Sequence, residues 1–341
     1  MTGIATRAAR REQSRFRIVD SLASLWYNRT TGYSVNQIVE WSPGYMALMD
    51  DNTPEIGQLV RLDVTLRSSG LWLGPIWAIV CGIVASGGWN WNWSSWLQAA
   101  LLFFLVDGAW ATLWAAAVET DWVTPAARWG QSPIDPPSAL PYTQPNTPGD
   151  RLLRWIAHTR QWWREHLRPS AGSAMSTIIL CVALGAALSA VLGWPAVALS
   201  AAAAAIVQLG VILGRGRGRP VPALKATLDI GLAWLLAHIV FAPLTLASAL
   251  LAVAFAAAYA AGLALIEGGR RATVWNAAQF AVAGLLVLMR VPVAGLAIFL
   301  TVIPQLLLEP DLRRGAGGAW FARSTQAWLM LGMLIASAAI S

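Results

Sequence analysis

Charged residues are scarce in this sequence, and their scarcity excludes an ordinary soluble domain. Only 12% of the 341 residues are charged, whereas 57% are hydrophobic. A soluble domain carries about 25% charged residues, because its surface must face water. Most of this chain therefore has no water to face, and the composition is typical of a protein that crosses a membrane many times.

Cysteine and histidine are also scarce, which excludes several kinds of site. The two cysteines, Cys81 and Cys181, lie in apolar runs without CxxC spacing, so neither a disulfide framework nor a thiolate metal site is expected. Of the three histidines only His238 lies in an apolar run, whereas a bis-histidine haem needs two. No nucleotide-binding, zinc-protease or serine-hydrolase motif occurs in a useful context. The sequence thus indicates no metal site and no evident cofactor.

Long apolar runs predict an all-α, polytopic membrane bundle of about nine transmembrane helices. A helix that crosses the bilayer needs roughly 20 mostly apolar residues. Residues 69–118 hold the first two predicted spans, and residues 171–341 hold the other seven. Residues 1–68 lack the apolar stretch of a signal peptide and are expected to form a cytoplasmic N-terminal region. The predicted spans are 70–88, 96–118, 172–193, 195–214, 224–242, 244–266, 272–290, 292–308 and 324–341.

A polar segment, residues 119–170, separates the second and third spans and is expected to be a cytoplasmic loop. Its first half is rich in proline, and its second half predicts an amphipathic helix that Asp150 caps and Pro169 ends. Tryptophan and arginine on one short helix favour a position in the membrane interface. A surface helix that binds a partner is the alternative. The expected interfacial residues are Arg154, Trp155, Trp162, Trp163 and Arg164.

The distribution of basic residues predicts the orientation. Cytoplasmic segments carry the excess of Lys and Arg, and residues 1–68 together with the loops after spans 2, 4, 6 and 8 hold nearly all of these residues, with Arg290 the exception. We therefore expect a cytoplasmic N-terminus and an external C-terminus. Because orientation accounts for the net charge of +7, nucleic-acid binding is not expected. Abundant Ala and Arg with a single lysine favour a GC-rich bacterial genome, and hence the bacterial cytoplasmic membrane.

Ionisable side chains at bilayer depth are costly and are functional candidates by default. Asp107 lies in the second predicted span and His238 in the fifth, at different depths, so a pairing between them needs a tilt or a bridging water. Asp229 follows Lys225 by four residues, a spacing that predicts a local ion pair on one helix face.

More polar side chains are predicted at the cytoplasmic third of the spans. Together with Asp107 and His238, they are the expected lining of a ligand cavity that opens toward the cytoplasm. Hydrogen bonding between helices, with no ligand, is the alternative. These further residues are Gln208, Asn276, Gln279 and Gln305.

Two stretches in the second half of the chain match the pattern of a known membrane family. GWPAVALSAAAAAIVQLGVILGRGRGRPVPALK and FARSTQAWLMLGMLIASAAIS resemble the fourth span with its basic turn and the last span of the UbiA-type membrane prenyltransferase superfamily. The resemblance implies Asp-rich motifs after spans 2 and 6 that bind Mg²⁺ and the diphosphate of a prenyl donor. Here the first place holds only Glu119 and Asp121, and the second holds Glu267 followed by Arg270 and Arg271.

Three functions follow from these patterns. The first is a prenyltransferase-like protein without intact motifs that binds a lipid, isoprenoid, quinone or pigment, or that serves as a structural subunit beside other membrane proteins. The second is an active membrane prenyltransferase that uses Mg²⁺ and divergent acids. The third is a transporter that uses Asp107 and His238. The candidate acids of the second function are Glu119, Asp121, Asp229 and Glu267.

Overall fold

The computed structural model describes residues 74–129, 147–216, 218, 220–268, 272–315 and 317–341, and within these ranges the protein is all-helical. The predicted N-terminal region 1–68 and the predicted loop residues 130–146 lie outside the described residues. The helices of the described ranges are α1 Pro75–Ser86, α2 Trp93–Val118, α3 Val123–Ala127, α4 Pro148–Leu192, α5 Trp194–Leu213, α6 Pro222–Phe241, α7 Leu246–Ile266, α8 Ala272–Leu288, α9 Pro292–Arg313 and α10 Gly318–Ile340.

Six of these helices are long and apolar enough to cross a membrane, namely α2, α4, α5, α6, α7 and α9. The prediction of an all-α, multi-pass membrane bundle is thereby confirmed. The other three predicted spans fall on α1, α8 and α10. Helices α1 and α8 have only 12 and 17 residues, and α10 has 23 residues but is less apolar. The count of nine and the orientation of the termini stay predictions.

Helices α2, α6 and α7 form the centre of the bundle. About half of the apolar stretch of each is buried, 50% in α2 and 56% in both α6 and α7, whereas only 22% is buried in α4 and in α5. Helix α1 packs against α6 and α10, and its Trp77 Nε1 donates a hydrogen bond to Met330 O of α10 at 3.1 Å. Trp234 of α6 stacks on Phe255 of α7, with ring centres 5.8 Å apart. The α4–α5 hairpin therefore lies at the periphery.

Gly82 allows the close contact between α1 and α6. A Cβ at this position would lie 2.5 Å from Trp234 O and 2.8 Å from Ala237 Cβ, so a larger residue does not fit without movement of a helix. Lipid tails are as apolar as the helices, so helices associate in a membrane through close van der Waals packing at small residues. Gly82 is such a residue.

Replacing Gly82 with Ala is expected to destabilise the bundle by about 1–3 kcal/mol, because the added methyl group overpacks the contact with α6. Gly284→Ala in α8 is the matched control, since a Cβ there meets nothing within 4 Å. The control is expected to be neutral or stabilising by up to about 1 kcal/mol, from helix propensity alone. Unfolding by denaturing detergent in mixed micelles measures both. Equal stabilities of the two variants would contradict the close contact.

Exposed tryptophans mark the end of the bundle at which α2 and α5 begin. Trp91 and Trp194 are 84% and 78% exposed. Trp89 contacts Trp96 edge to face with ring centres 5.0 Å apart, and Phe241 of α6 is 5.6 Å from Trp89. Indole rings favour the headgroup level of a bilayer. These turns are therefore placed where a membrane–water interface is expected.

Helix α4 is a single helix of 45 residues, which corrects two boundaries expected from the sequence. The helix does not end at Pro169 but continues through it to Leu192. A π-helical stretch, Trp163–Leu167, directly precedes the proline, and its altered hydrogen bonding accommodates a residue that has no N–H. At the other end, Thr147 Oγ1 accepts a hydrogen bond from Asp150 N at 3.4 Å, so Thr147 and not Asp150 is the capping residue.

Residues 148–163 of α4, which we call the amphipathic arm, contain four of the five predicted interfacial residues. Trp155 and Trp163 are 59% and 37% exposed, and Arg164 follows on the exposed surface. Trp162 instead turns toward α3 and donates a hydrogen bond from Nε1 to Pro125 O at 2.9 Å. Hydrogen bonds to Asp150 raise the pKa of the Arg154 guanidinium. Four of the five predicted residues are thus on exposed surface, and Trp162 anchors the arm.

Candidate functional site

Two aspartates lie in π-helical stretches of central helices. Asp107 is in Phe104–Trp110 of α2, and Asp229 is in Thr227–Leu232 of α6. Each residue is only 3% exposed. A π-helical turn holds an extra residue inside an α-helix and is frequent at functional sites. Both carboxyl groups are therefore shielded and sit where the helix geometry is locally irregular.

The two aspartates lie at similar depths in the bundle. Helix α2 ends on the side where α6 begins, since Trp122 N, just after α2, donates a hydrogen bond to Gly216 O, just before α6, at 2.8 Å. Asp107 lies eleven residues before the end of α2, and Asp229 lies seven residues after the start of α6. At 1.5 Å of rise per residue, these positions are roughly 16 and 10 Å inside the same end of the bundle.

Lys225, the only lysine of the chain, lies between Asp229 of α6 and the Trp114 ring of α2. Its Nζ lies 3.2 Å from Asp229 Oδ2, which confirms the local ion pair predicted from their spacing. The same Nζ lies 5.7 Å from the centre of the Trp114 ring of α2. Asp107 lies seven residues, or about two helical turns, before Trp114 on α2. We call Asp107, Lys225 and Asp229 the carboxylate–lysine cluster.

Gly210 of α5 sets the position of the indole beside the cluster. A Cβ on Gly210 would lie 2.9 Å from Val118 Cγ2 and 3.1 Å from the Trp114 ring, so only glycine lets α5 approach α2 at this level. Trp114 is fully buried by this contact. The peripheral hairpin thus closes the bundle over the side of α2 that faces Lys225.

Three polar atoms of α2, in or beside the cluster, are buried and make no hydrogen bond to any residue in the described ranges. They are one acceptor, Asp107 Oδ2, and two donors, Trp110 Nε1 and Trp114 Nε1. Native proteins keep few such atoms, because each costs about 1–3 kcal/mol and charged groups cost more. Hydrogen-bonding capacity of this kind, at membrane depth, is available to a proton, a cation or a polar ligand.

The carboxylate–lysine cluster holds one unbalanced negative charge when all three groups are ionised. The Lys225–Asp229 pair is neutral as a pair, so the surplus charge belongs to Asp107. A buried charge without a counter-ion is very costly. Uptake of one positive charge removes the cost. The arrangement is therefore suited to bind and release a proton or a monovalent cation.

His238 does not join Asp107, although the sequence suggested a shared path. Its Nε2 donates to Pro243 O at 3.1 Å, and its Nδ1 accepts from Ser248 Oγ at 3.0 Å. Ser248 Oγ in turn accepts from Trp234 Nε1 at 2.9 Å. Every polar atom of this imidazole has a partner in the neutral form, which makes His238 a connection between α6 and the start of α7.

The predicted cavity residues of α8 and α9 bond to one another. Gln279 Nε2 donates to Gln305 Oε1, and Gln305 Nε2 donates to Gln279 Oε1, both at 2.8 Å. Trp275 Nε1 also donates to Gln305 Oε1, at 2.5 Å. Both glutamines are fully buried. The two amides are hydrogen-bonded to each other, which fits hydrogen bonding between helices, the alternative to a ligand cavity.

The remaining cavity candidates lie apart from this pair. Asn276 is buried and donates from Nδ2 to Glu309 Oε2 at 3.4 Å, while its Oδ1 makes no hydrogen bond. Glu309 also pairs with Arg313 at 2.7 Å. Gln208 is exposed on the outer face of α5. The six residues expected to line one cavity are therefore distributed over the cluster, the His238 network, the α8–α9 contact and the surface.

Replacing Gln305 with Leu is expected to cost about 1–2 kcal/mol of stability, because it leaves Gln279 Oε1 and the Trp275 indole N–H without their partner, while Gln279 Nε2 keeps only its bond to Trp275 O. Gln279→Leu is the matched variant and should cost less, since Gln305 Oε1 keeps the bond from Trp275. Detergent-induced unfolding of each variant in mixed micelles measures which of the two has the lower stability. A Gln279→Leu variant that is less stable than Gln305→Leu would contradict this role.

The other acidic candidates do not gather into a metal site. Glu119 and Asp121 are exposed after α2, and Asp121 accepts hydrogen bonds from Val123 N and from Thr124 N and Oγ1. Glu267 is exposed at the end of α7, where partial desolvation raises the pKa of its carboxyl. Within the described ranges, no three Asp, Glu, His or Cys side chains are grouped so that they could hold a metal ion.

The sequence placed Asp107 and Asp229 among its candidates, named Lys225 only as the ion-pair partner of Asp229, and did not bring the three together; it missed Trp110 and Trp114. Counting residues inward from the arginine-rich ends of spans 2 and 5 would have put both aspartates at similar depths. No family model matches this chain, and no curated protein and no solved structure matches it either.

Proposed function

We propose that this protein is a multi-pass membrane carrier whose cycle is coupled to a proton, or to a monovalent cation, at the carboxylate–lysine cluster. The observation that carries the proposal is the buried Asp107 carboxyl, whose Oδ2 makes no hydrogen bond to any residue that the structure describes, while Lys225 is already paired with Asp229. Ionisable residues within membrane spans mark proton relays and ion pathways by default. The transporter expected from the sequence is kept, with Asp229 and Lys225 in place of His238.

A purely structural role accounts for only part of the cluster. Lys225 and Asp229 form an ion pair that is complete without a third group. Asp107 adds burial of a further carboxyl whose Oδ2 has no hydrogen bond to the part of the chain that the structure describes, which costs stability. Groups that cost stability in the folded protein are typical of sites that act, because binding of a ligand or proton restores the balance.

The orientation proposed for the carrier follows from its charges. Together with α1, α8 and α10 the six long apolar helices make nine spans, with the N-terminus in the cytoplasm and the C-terminus outside. Arg128, Arg215, Arg313 and Arg314 all lie in the turns at the end where α2 finishes, which supports this orientation in a bacterial cytoplasmic membrane. The cluster would then be nearer to the cytoplasmic side.

Flux into proteoliposomes tests the proposal. The full chain is reconstituted with a pH-sensitive dye inside, and a pH gradient and a potassium diffusion potential are imposed in turn. We expect internal acidification or alkalinisation above that of empty liposomes, and its loss in Asp107→Asn. Sodium and potassium gradients distinguish a cation from a proton. Flux in Asp107→Asn equal to that of wild type would refute the proposal.

A prenyltransferase-like subunit without catalysis is the second candidate, and the α4–α5 hairpin favours it. This hairpin is largely unburied, and Gln208 on its outer face offers an amide at membrane depth to a neighbouring helix. Such a subunit would bind an isoprenoid, quinone or pigment, or contact other membrane subunits. Purification in mild detergent with mass spectrometry of proteins and extracted lipids tests it. A protein that emerges alone and without a bound lipid would contradict it.

An active prenyltransferase has less support. That chemistry needs carboxylates that hold Mg²⁺ against a diphosphate. Glu119, Asp121 and Glu267 are separate exposed groups, and Asp229 is engaged by Lys225. Mg²⁺ as a cofactor belongs to this alternative alone.

A further inference from the structure

The amphipathic arm, residues 148–163 of α4, presents an apolar face that no other element of the described structure covers. Leu152, Trp155, Ile156 and Trp163 are 57%, 59%, 47% and 37% exposed. Their spacing of three, one and seven residues puts them on one side of a helix with 3.6 residues per turn. Four large apolar side chains thus form one continuous exposed stripe.

A lateral contact fixes the direction in which this stripe faces. His158 Nε2 and Trp129 O are 2.5 Å apart, and the Trp129 ring packs edge to face on Trp162 with centres 4.8 Å apart. Trp162 also donates to Pro125 O. By helical spacing, His158 and Trp162 lie roughly a quarter-turn from the centre of the stripe. The arm is therefore held along one flank, and the stripe beside this anchor stays uncovered by the described residues.

The flanks of the arm are strongly basic. Arg154 is paired with Asp150 at 2.5 Å, and Glu165 accepts a hydrogen bond from Gln161 at 3.0 Å. Four further arginines on or next to the arm outnumber these two acids, and all four are exposed. A stripe of Trp, Leu and Ile between arginines has the composition of a helix that lies in a headgroup layer. The four arginines are Arg151, Arg160, Arg164 and Arg168.

The arm continues directly into the apolar part of α4, so its C-terminal end is already at the bilayer surface. The π-helical stretch Trp163–Leu167 and Pro169 lie at this junction, and such features are where helices bend. Docking of the arm on the surface of the same leaflet requires a bend of α4 at this junction. Because the apolar part of α4 follows the arm directly, the nearest surface for the stripe is that of the membrane in which α4 lies.

We propose that the amphipathic arm docks into the headgroup layer of anionic phospholipids on the arginine-rich side of the protein. Leu152, Trp155 and Ile156 enter the layer, and the flanking arginines bind lipid phosphates. The docked arm holds α3 and the residues just after it through Trp162 and His158. This docking is independent of the coupling proposed for Asp107, and either can fail without the other.

An environment-sensitive fluorophore on a single cysteine tests the docking in the full chain. Cys81 and Cys181 are buried and are replaced by Ala, and the fluorophore is attached at Ile156→Cys. Gln161→Cys, on the side of the arm away from the stripe, is the matched control. The protein is placed in nanodiscs of phosphatidylcholine with or without phosphatidylglycerol. We expect a blue-shifted emission at position 156 only with phosphatidylglycerol, and an aqueous spectrum at position 161 in both.

Each arginine that is removed should weaken the docking by a similar factor. Arg160→Gln and Arg164→Gln are each expected to shift the ratio of docked to free arm roughly five-fold, and high salt should have the same direction of effect. Identical emission at position 156 with and without phosphatidylglycerol would overturn the proposal. Shielding that depends on protein concentration in detergent would also overturn it, because it would identify a second copy of the chain as the occupant.

Discussion

Asp107→Asn is expected to abolish coupled flux while the protein stays folded. Asparagine keeps the shape of the side chain and has no charge to exchange, so the cluster loses the group that takes up the proton or cation. Removing a buried carboxyl that has an unbonded oxygen should leave the free energy of unfolding unchanged or raise it, by up to about 1–3 kcal/mol. Flux in proteoliposomes and detergent-induced unfolding measure the two effects on the same preparation.

Glu119→Gln is the matched control for this variant. It removes a carboxylate from the exposed end of α2 and leaves the buried cluster intact. Its flux and stability should equal those of wild type. If Asp107→Asn unfolded more easily than wild type and lost flux for that reason, Asp107 would be a structural residue. That outcome would contradict the proposed function.

Lys225→Met is expected to cost about 3–5 kcal/mol of stability, because it leaves Asp229 as a buried charge without a partner. Asp229→Asn in the same chain should restore most of this loss, since no unpaired charge then remains at this pair. The double-mutant cycle over the two residues therefore gives a large coupling free energy. Unfolding of wild type, both single variants and the double variant in mixed micelles supplies the four values.

Additive effects of the two substitutions would contradict this account of the ion pair. They would mean that Lys225 acts on stability through another contact, of which the Trp114 ring at 5.7 Å is the nearest candidate. Lys225→Arg separates these cases, because it keeps the charge and the stacking on the indole but changes the geometry of the bond to Asp229.

The membrane fold could be predicted from the sequence because it depends on composition along the chain. Apolar runs of about 20 residues must form helices in lipid, where no water satisfies the backbone. Boundaries were less predictable. Pro169 indicates a helix end in water, yet α4 passes through it with the help of a π-helical stretch. No local sequence pattern predicts such a stretch. It arises where one extra residue is accommodated in a helical turn, and packing against neighbouring helices stabilises it.

The candidate site was predictable in its members but not in its arrangement. The Lys225–Asp229 pair follows from a spacing of four on one helix, so sequence alone gives it. The position of Asp107 relative to the Lys225–Asp229 pair depends on how α2 and α6 pack beside α1 and α5. No spacing of residues in the sequence encodes this packing. Gln279 and Gln305 were expected to line a cavity, but helix packing brings their amides into a mutual bond.

Infrared difference spectroscopy across a pH step tests the central claim most directly. The protein is held in lipid films, and the carbonyl stretch of protonated carboxyl groups is followed as the pH changes. The account predicts a carboxyl band that changes with pH, disappears in Asp107→Asn and persists in Glu119→Gln. A spectrum in which Asp107→Asn matches wild type would show that Asp107 exchanges no proton. A cation-coupled site would still shift this band when sodium or potassium is added, and its absence under every condition would contradict the account.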